Sequence, residues 1–401
     1  MTQDKQHNRP NVPPLRFPEF TEPWETAKLG AIAEFSKGTG ISKEQRSETG
    51  LPCILYGELY TTYTNEVIED VVSKTDLDPT DLVKSQKNDV IIPSSGETAE
   101  DIATARCVTS DNVLLGGDLN IIRLVEPNDG RFMSYQLNGI RKYDIAKIAQ
   151  GVSVVHLYGG DLKMLSVTFP QSPEQKKIAD CISLLDRRIS VQSGLIEKLE
   201  SLISGITLII SKSDDCESIR LSEILTERNE VNTAQYEVYS VSVSQGVVNQ
   251  VDYLGRSFAA KDTSNYNVVH YGDIVYTKSP TGDFPFGIVK RSGQTDPVAV
   301  SPLYGVYKPA SNEIGCFLHY YFCNPVSAKN YLHKLIQKGA KNTINITNQR
   351  FLENTIKVPK AEKLTIVVKL LNHISAKKQH TEELLALYRK QKRYLLSQMF
   401  I

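Results

Sequence analysis

QSPEQKKIADCISLLDRRISVQSGLIEKLESLISGITLIISK, Gln171 to Lys212, is the stretch that decides the fold. Ile178, Ile182, Leu185, Ile189, Ile196, Leu199, Ile203, Ile206 and Ile210 recur at alternating four- and three-residue steps, and only Gln192 breaks the series. This is the a/d pattern of a coiled-coil seam, sustained for more than four heptads. Ser172 reads as the N-cap, Pro173 as the first helical residue and Glu174 as the first-turn acid. Such a helix cannot bury its stripe alone, so it requires a partner.

The same chain supplies one. A shift of 189 residues carries Ile178 onto Val367, Ile182 onto Leu371, Leu185 onto Ile374, Ile196 onto Leu385, Leu199 onto Tyr388, Ile206 onto Leu395 and Ile210 onto Met399. Ile189, Gln192 and Ile203 land on Lys378, Thr381 and Lys392, so the second copy has diverged at three seam positions. Each copy closes one half of the sequence.

With 401 residues the chain exceeds what one core comfortably serves, so two or more domains are expected. The opening Met1 to Phe20 lacks an apolar segment, and no run approaches the roughly 20 residues of a membrane span. A cytoplasmic protein is expected. Six scattered cysteines without a CxxC pair point to reduced thiols rather than a disulfide framework or zinc site. Net charge is zero, unevenly spread: Lys28–Gln150 holds 13 basic and 19 acidic residues, whereas Lys363–Ile401 holds eight basic against two acidic. The basic face usual in a stand-alone DNA reader is missing from the first half.

Taken in order, residues 1–23 read as a flexible, proline-bearing arm. Residues 24–170 form an α+β domain, with strand-like runs at Cys53–Tyr56, Asp89–Ile92 and Asn120–Leu124 and a helix over Phe132–Ala149. The central helix occupies 171–213, a second domain 214–359, and a C-terminal helix 360–401. The second domain echoes the first: Ile219–Leu225 matches the Lys28–Phe35 segment, His270–Tyr276 matches Lys87–Ile92, and Cys316–Tyr320 matches Arg131–Tyr135. Two such units with antiparallel helices would be related by an approximate two-fold axis, which suits paired half-sites on duplex DNA.

No catalytic constellation is complete. Asn324-Pro325-Val326-Ser327 lacks the aromatic-ended motif of an adenine methyltransferase, no GxxxxGK[ST] loop exists, and Asp89 with Glu97-Thr98-Ala99 lacks a nuclease lysine. The seven histidines form no HxxxH or HExxH set, so no metal site is expected.

The opening Asn11-Val12-Pro13-Pro14-Leu15-Arg16-Phe17-Pro18-Glu19-Phe20 with Trp24, and the block Phe169-Pro170-Gln171-Ser172-Pro173-Glu174-Gln175-Lys176-Lys177-Ile178-Ala179, resemble the specificity subunit of type I restriction-modification systems. The second copy, Pro359-Lys360-Ala361-Glu362-Lys363-Leu364, has lost the Glu-Gln pair. The resemblance implies a non-catalytic subunit: two target-recognition domains in tandem, each reading one half of a split DNA target, and two long antiparallel coiled-coil helices in a pseudo-two-fold arrangement that sets the unread spacer. It implies two methyltransferase subunits docked on the chain and restriction/translocase subunits beyond them. S-adenosylmethionine, ATP and Mg would be bound by those partners and no cofactor by this chain. A coiled-coil scaffold without DNA recognition is the competing reading; it gives no reason for two diverged domains of one topology.

Major-groove edges present paired donors and acceptors, so polar and basic loop residues are the candidate readers. In the first domain they are Lys37, Lys43, Arg46, Tyr60, Tyr63, Ser94, Ser95, Arg106 and the loop carrying Gln150, Gly151, Ser153 and His156. In the second they are Lys278, Ser279, Thr281, Arg291, Lys338, Gly339, Lys341, Asn342, Asn345 and Gln349. Solvated surface competes for each cation, and a half-buried strand position for each tyrosine. Lys378 and Lys392 read either as spacer-facing cations or as side chains snorkelling from a loosened seam that frays first.

Overall fold

A computed structural model describes residues 11–256, 259–338 and 344–401. It divides into two compact units: the chain up to Gln192 with Leu384–Ile401, and Ser193–Glu383. The divisions fall inside the two long helices, Ser172–Lys212 and Ala361–Gln398, not at their ends. No helix among the described residues is long and apolar enough to cross a membrane.

The first unit is built on a five-stranded sheet ordered Ala33–Lys37, Leu119–Leu124, Val90–Pro93, Arg106–Val108, Val67–Ile68, antiparallel except for its last pair. Its central strand Val90–Pro93 is a continuous buried apolar run, and its neighbour Leu119–Leu124 is buried over most of its length. The expected helix over Phe132–Ala149 is two helices, Gly130–Asn138 and Lys142–Ile148. Gly139 ends the first in a backbone conformation outside the helical region, and the chain turns there. Strand Glu25–Lys28 pairs antiparallel with Ser166–Phe169, so the beginning and end of this domain meet beside the start of the central helix. Trp24 and Phe400 flank Phe132, with centroids 5.7 and 5.0 Å away, in a core that takes in Ile178, Ile182 and Met399.

The second unit repeats this order. Strand Cys216–Arg220, the short helix Leu221–Ile224 and strand Leu225–Glu227 stand where Glu25–Lys28, Leu29–Ile32 and Ala33–Lys37 stand in the first. Its sheet runs Leu225–Glu227, Gly305–Pro309, Ile274–Thr277, Ile288–Arg291. Its closing pair is Cys216–Arg220 with Thr355–Pro359. Stacked Tyr276, Phe351 and Tyr307 form the centre of its core, which Leu364 and Val368 join from the C-terminal helix. The turn into the central strand is the same in both units. Asp89 accepts the Gln86 N–H on its carboxylate and takes Arg123 across it; Asp273 accepts the His270 N–H and takes Arg228.

The seam lies where the periodicity places it. Ile178, Ile182, Leu185 and Leu199 are buried on the central helix, with Ile189, Ile196, Ile203 and Ile206 half-buried. Leu371, Ile374 and Leu385 are buried on the other helix, with Val367, Tyr388 and Leu395 half-buried. Within each unit the segments run antiparallel: Asp186 meets Lys392 and Arg188 meets Tyr388 in the first, while Glu200 meets Lys378 in the second. The three polar residues of the second seam all have partners. Lys392 sits between Asp186 and Glu66 at 2.5 Å from each, Lys378 between Glu200 at 2.8 Å and Glu382 at 3.4 Å, and the buried Thr381 hydroxyl donates to the Lys377 carbonyl. Neither lysine is a free, spacer-facing cation.

The flexible-arm expectation does not hold for residues 11–23. Arg16 forms a two-pronged ion pair with Glu174, the Leu15 N–H donates to the Gln398 carbonyl, and the Trp24 N–H donates to the Asn11 carbonyl. Proline restricted the backbone there without freeing it.

Candidate nucleic-acid interface

The register of the first sheet gives it two ends with different jobs. At one end Val90 pairs with Ile122, and the chain before it, Asn88-Asp89, faces the helix anchor. Asn88 donates to the Asn128 carbonyl, and Gln175 donates to the Asn128 side chain at 3.0 Å and the Pro170 carbonyl at 2.8 Å while accepting the Asp129 N–H at 2.9 Å. Glu174, 2% exposed, binds Arg16 and the Trp24 indole N–H. The Glu174-Gln175 pair is therefore a clasp that fixes this domain to its helix.

The opposite end carries loops. Lys37 pairs with Asn120 and Pro93 with Leu119 there, so Lys37 and Ser94 emerge at the same edge. Buried Asn120 donates to the Leu157 carbonyl, and His156 pairs with Ser95 through a short antiparallel ladder. Gln150 and His156 exchange backbone hydrogen bonds of 2.9 and 2.7 Å, closing a loop whose tip, Val152, is 96% exposed. Gly151 makes that closure possible: its φ is +124°, and an added Cβ would lie 2.1 Å from the Val154 carbonyl oxygen. The structure thus brings together Lys37, Ser94, Ser95, Gln150, Gly151, Ser153 and His156.

Other first-domain candidates fare differently. Lys43 and Arg46 are exposed, with Arg46 Nη1 3.5 Å from Glu58. Tyr60 is on the surface, and burial with nearby carboxylates raises its pKa. Arg106 and Tyr63 are not surface readers. Arg106 is buried and its guanidinium donates to the Ala105 and Tyr63 carbonyls; the Tyr63 hydroxyl accepts the Val72 N–H. Arg106 lies on the wholly buried strand Arg106–Val108, and Tyr63 is buried just past the short helix Glu58–Thr61. Ser94 is itself buried and contributes backbone, accepting the Leu157 N–H.

The second sheet has the same polarity. Thr277 pairs with Ile288 at its loop end, so Lys278, Ser279 and the Thr281–Phe284 turn project there. Burial lowers the Lys278 pKa against the pull of Glu227. Exposed Gln349 belongs to this end: its neighbour Asn348 donates to Glu227 and accepts the Tyr307 hydroxyl at its carbonyl. Lys338 and Asn345 stand on the facing strands Gln337–Lys338 and Ile344–Asn345, while Gly339, Lys341 and Asn342 lie outside the described residues. Arg291 is at the wrong end. It pairs with Ile274, covers the Tyr271 ring at 4.9 Å and donates to Asn312 at 2.7 Å.

Two contributors were missed from sequence. Tyr158, exposed, stacks on His156 with centroids 6.2 Å apart, and Asn120 holds the loop from below. Tyr158 was legible as the second residue after His156 on an extended segment. Asn120 carried no such signal, since its role comes from a partner 37 positions away. The surface is of mixed sign: Gln150 donates to Asp161, and Glu97 and Asp101 lie near enough to Tyr60 to raise its pKa.

Among known proteins, the model of the type I restriction modification DNA specificity domain matches residues 21–201. No curated protein matches the chain. The fold is similar to the crystal structure of a type I restriction-modification system S subunit from M. genitalium, with TM-score 0.66 and 16% identity over 97% of this chain and 99% of that one. An HsdS subunit from Thermoanaerobacter tengcongensis aligns over 94% of this chain and 96% of its own, at 13% identity and TM-score 0.39. The clasp built by Pro173-Glu174-Gln175 lies inside the matched residues. Residues 21–201 thus match a type I restriction modification DNA specificity domain, and the chain shares the fold of a type I restriction-modification S subunit over nearly its whole length.

Proposed function

We propose that each unit reads one half of a bipartite DNA target with the loop end of its sheet, and that the two long helices fix the unread spacer between the halves. The observation that supports this reading is the repeated loop end: in both units one end of the sheet presents polar loops, and in the first the opposite end is clasped to the central helix. The central helix, 41 residues at 1.5 Å each, is about 60 Å long, enough to set a separation of half-sites.

The chain itself carries out no chemistry. Two methyltransferase subunits dock on it and restriction/translocase subunits join them, in the cytoplasm; S-adenosylmethionine, ATP and Mg belong to those partners. The mixed charge of the loop ends supports a reader that depends on partners for phosphate neutralisation, the term that dominates non-specific affinity.

The test is a domain exchange. Replacing residues 24–170 by the corresponding domain of a relative, followed by mapping of N6-methyladenine in cells holding the complete system, should change one half-site and leave the other half and the spacer intact. An unchanged target, or loss of both halves together, rules the reading out. An interaction scaffold without DNA recognition gives no change in methylation.

A further inference from the structure

A cavity of about 1200 Å³ in the second unit is lined by Lys290, Arg291, Cys316, His319 and Cys323 together with helix residues that include Lys378. Cys323 closes the helix Asn312–Cys323, and Lys290 stands on strand Ile288–Arg291 beside it. The Lys290 Nζ donates to the Cys323 Sγ at 3.1 Å. Lys290 is 5% exposed, and no carboxylate lies within ion-pair distance of it among the described residues. A buried ammonium requires an anionic partner, and the sulfur is the one in contact.

A second nitrogen faces the same sulfur. The Arg291 backbone N–H approaches His319 Nδ1 at 3.3 Å, which turns the other ring nitrogen, Nε2, toward Cys323 Sγ at 3.7 Å. With these two nitrogens beside it, the sulfur is an acceptor. Burial alone would push this thiol up, but His319 and then Lys290 bring it down to about 6. No other cysteine has this setting; burial raises Cys53, Cys107, Cys181 and Cys216.

We propose that Cys323, held as a thiolate between Lys290 and His319 and facing this cavity, is a modification site for small oxidants of the hydroperoxide class. The thiolate attacks the terminal peroxide oxygen; an S–O bond forms, the O–O bond breaks, and the departing alkoxide, or hydroxide from hydrogen peroxide, takes a proton from water to become the alcohol or water. Sulfur is oxidised by two electrons to the sulfenic acid and the peroxide is reduced. Cys316 cannot trap the product as a disulfide, because two turns of one helix place it about 10 Å away. The sulfenic acid therefore persists until a small thiol reaches it through the cavity.

The experiment uses the full-length chain and peptide mass spectrometry. At pH 6.5, iodoacetamide should alkylate Cys323 about tenfold faster than half-buried Cys216; the roughly hundredfold gain in thiolate is partly offset by the weaker nucleophilicity of a low-pKa sulfur. Hydrogen peroxide below equimolar, with dimedone present, should place the sulfenic-acid adduct on Cys323. Lys290→Gln should slow alkylation of Cys323 without changing Cys216. If that variant does not fold, the pH profile of the unmodified chain decides: an alkylation midpoint below 7.5 supports the site, and one above it overturns it. Alkylation of Cys323 no faster than Cys216, or a dimedone adduct elsewhere only, also overturns it.

Discussion

The Tyr135 hydroxyl donates to Asp186 Oδ2 at 2.7 Å, and it lies 3.1 Å from the Ser183 hydroxyl. In the second unit Tyr320, the residue matched to Tyr135, donates to Asn372 Oδ1 at 3.0 Å and bonds with Ser375. Asn372 and Ser375 stand 189 positions after Ser183 and Asp186. One hydroxyl clamps domain to helix in each unit, and the repeat survives at the level of single atoms. Tyr135→Phe leaves the Oδ2 of buried Asp186 without its hydroxyl donor and should cost about 2 kcal/mol, whereas Tyr320→Phe, facing neutral partners, should cost about 1 kcal/mol. Urea unfolding monitored by circular dichroism compares them.

Glu174 is buried against Arg16, so removing either partner strands a charge. Glu174→Ala and Arg16→Ala should each destabilise the first unit by about 3–5 kcal/mol, and the double variant should cost less than the sum. Thermal unfolding of the four proteins provides the cycle. Equal, additive losses would show that the pair is not coupled.

The two seam lysines should behave differently. Lys392 is enclosed by Glu66 and Asp186, and Lys392→Met leaves two buried carboxylates facing each other, at a cost of about 3 kcal/mol. Lys378 pairs with exposed carboxylates, and Lys378→Met should stay within about 1 kcal/mol of the parent, since an apolar side chain suits a seam position. Denaturant midpoints separate the two.

Asp186 gives the first unit a pH dependence. Burial pushes its carboxyl above the usual carboxylate range, Lys392 pulls it down, and Glu66 raises it again. A folded-state pKa above the unfolded one means that the native protein holds the proton longer. Its contribution is complete below the ordinary carboxylate pKa and is lost as pH rises through the raised value. Stability should therefore fall as pH rises from about 4 through that window, and Asp186→Asn should flatten the profile. Calorimetry from pH 4 to 7 measures both slopes.

Gly151→Ala places a side chain in a left-handed backbone, 2.1 Å from the Val154 carbonyl oxygen. The loop must open at a local cost of about 1–3 kcal/mol. Because the loop touches no helix anchor, global unfolding should change little, while methylation falls about tenfold through the first half-site. A competition between DNA targets with altered first or second halves reads this directly.

The sequence by itself determined the helices, their antiparallel partnership within each unit and the correspondence between the halves. These rest on heptad spacing and on short motifs such as Glu174-Gln175, whose physics is local and periodic. Which loop residues share a surface was decided only by the tertiary structure. Strand register set Lys37, Ser94 and His156 at the loop end of the first unit and Arg291 at the opposite end of the second unit's sheet, while packing buried Arg106 and Tyr63. Even the seam shows the limit. Lys392 looked like a defect by its spacing, and its counter-charge at Glu66 lies more than 300 residues earlier, brought near by the fold alone.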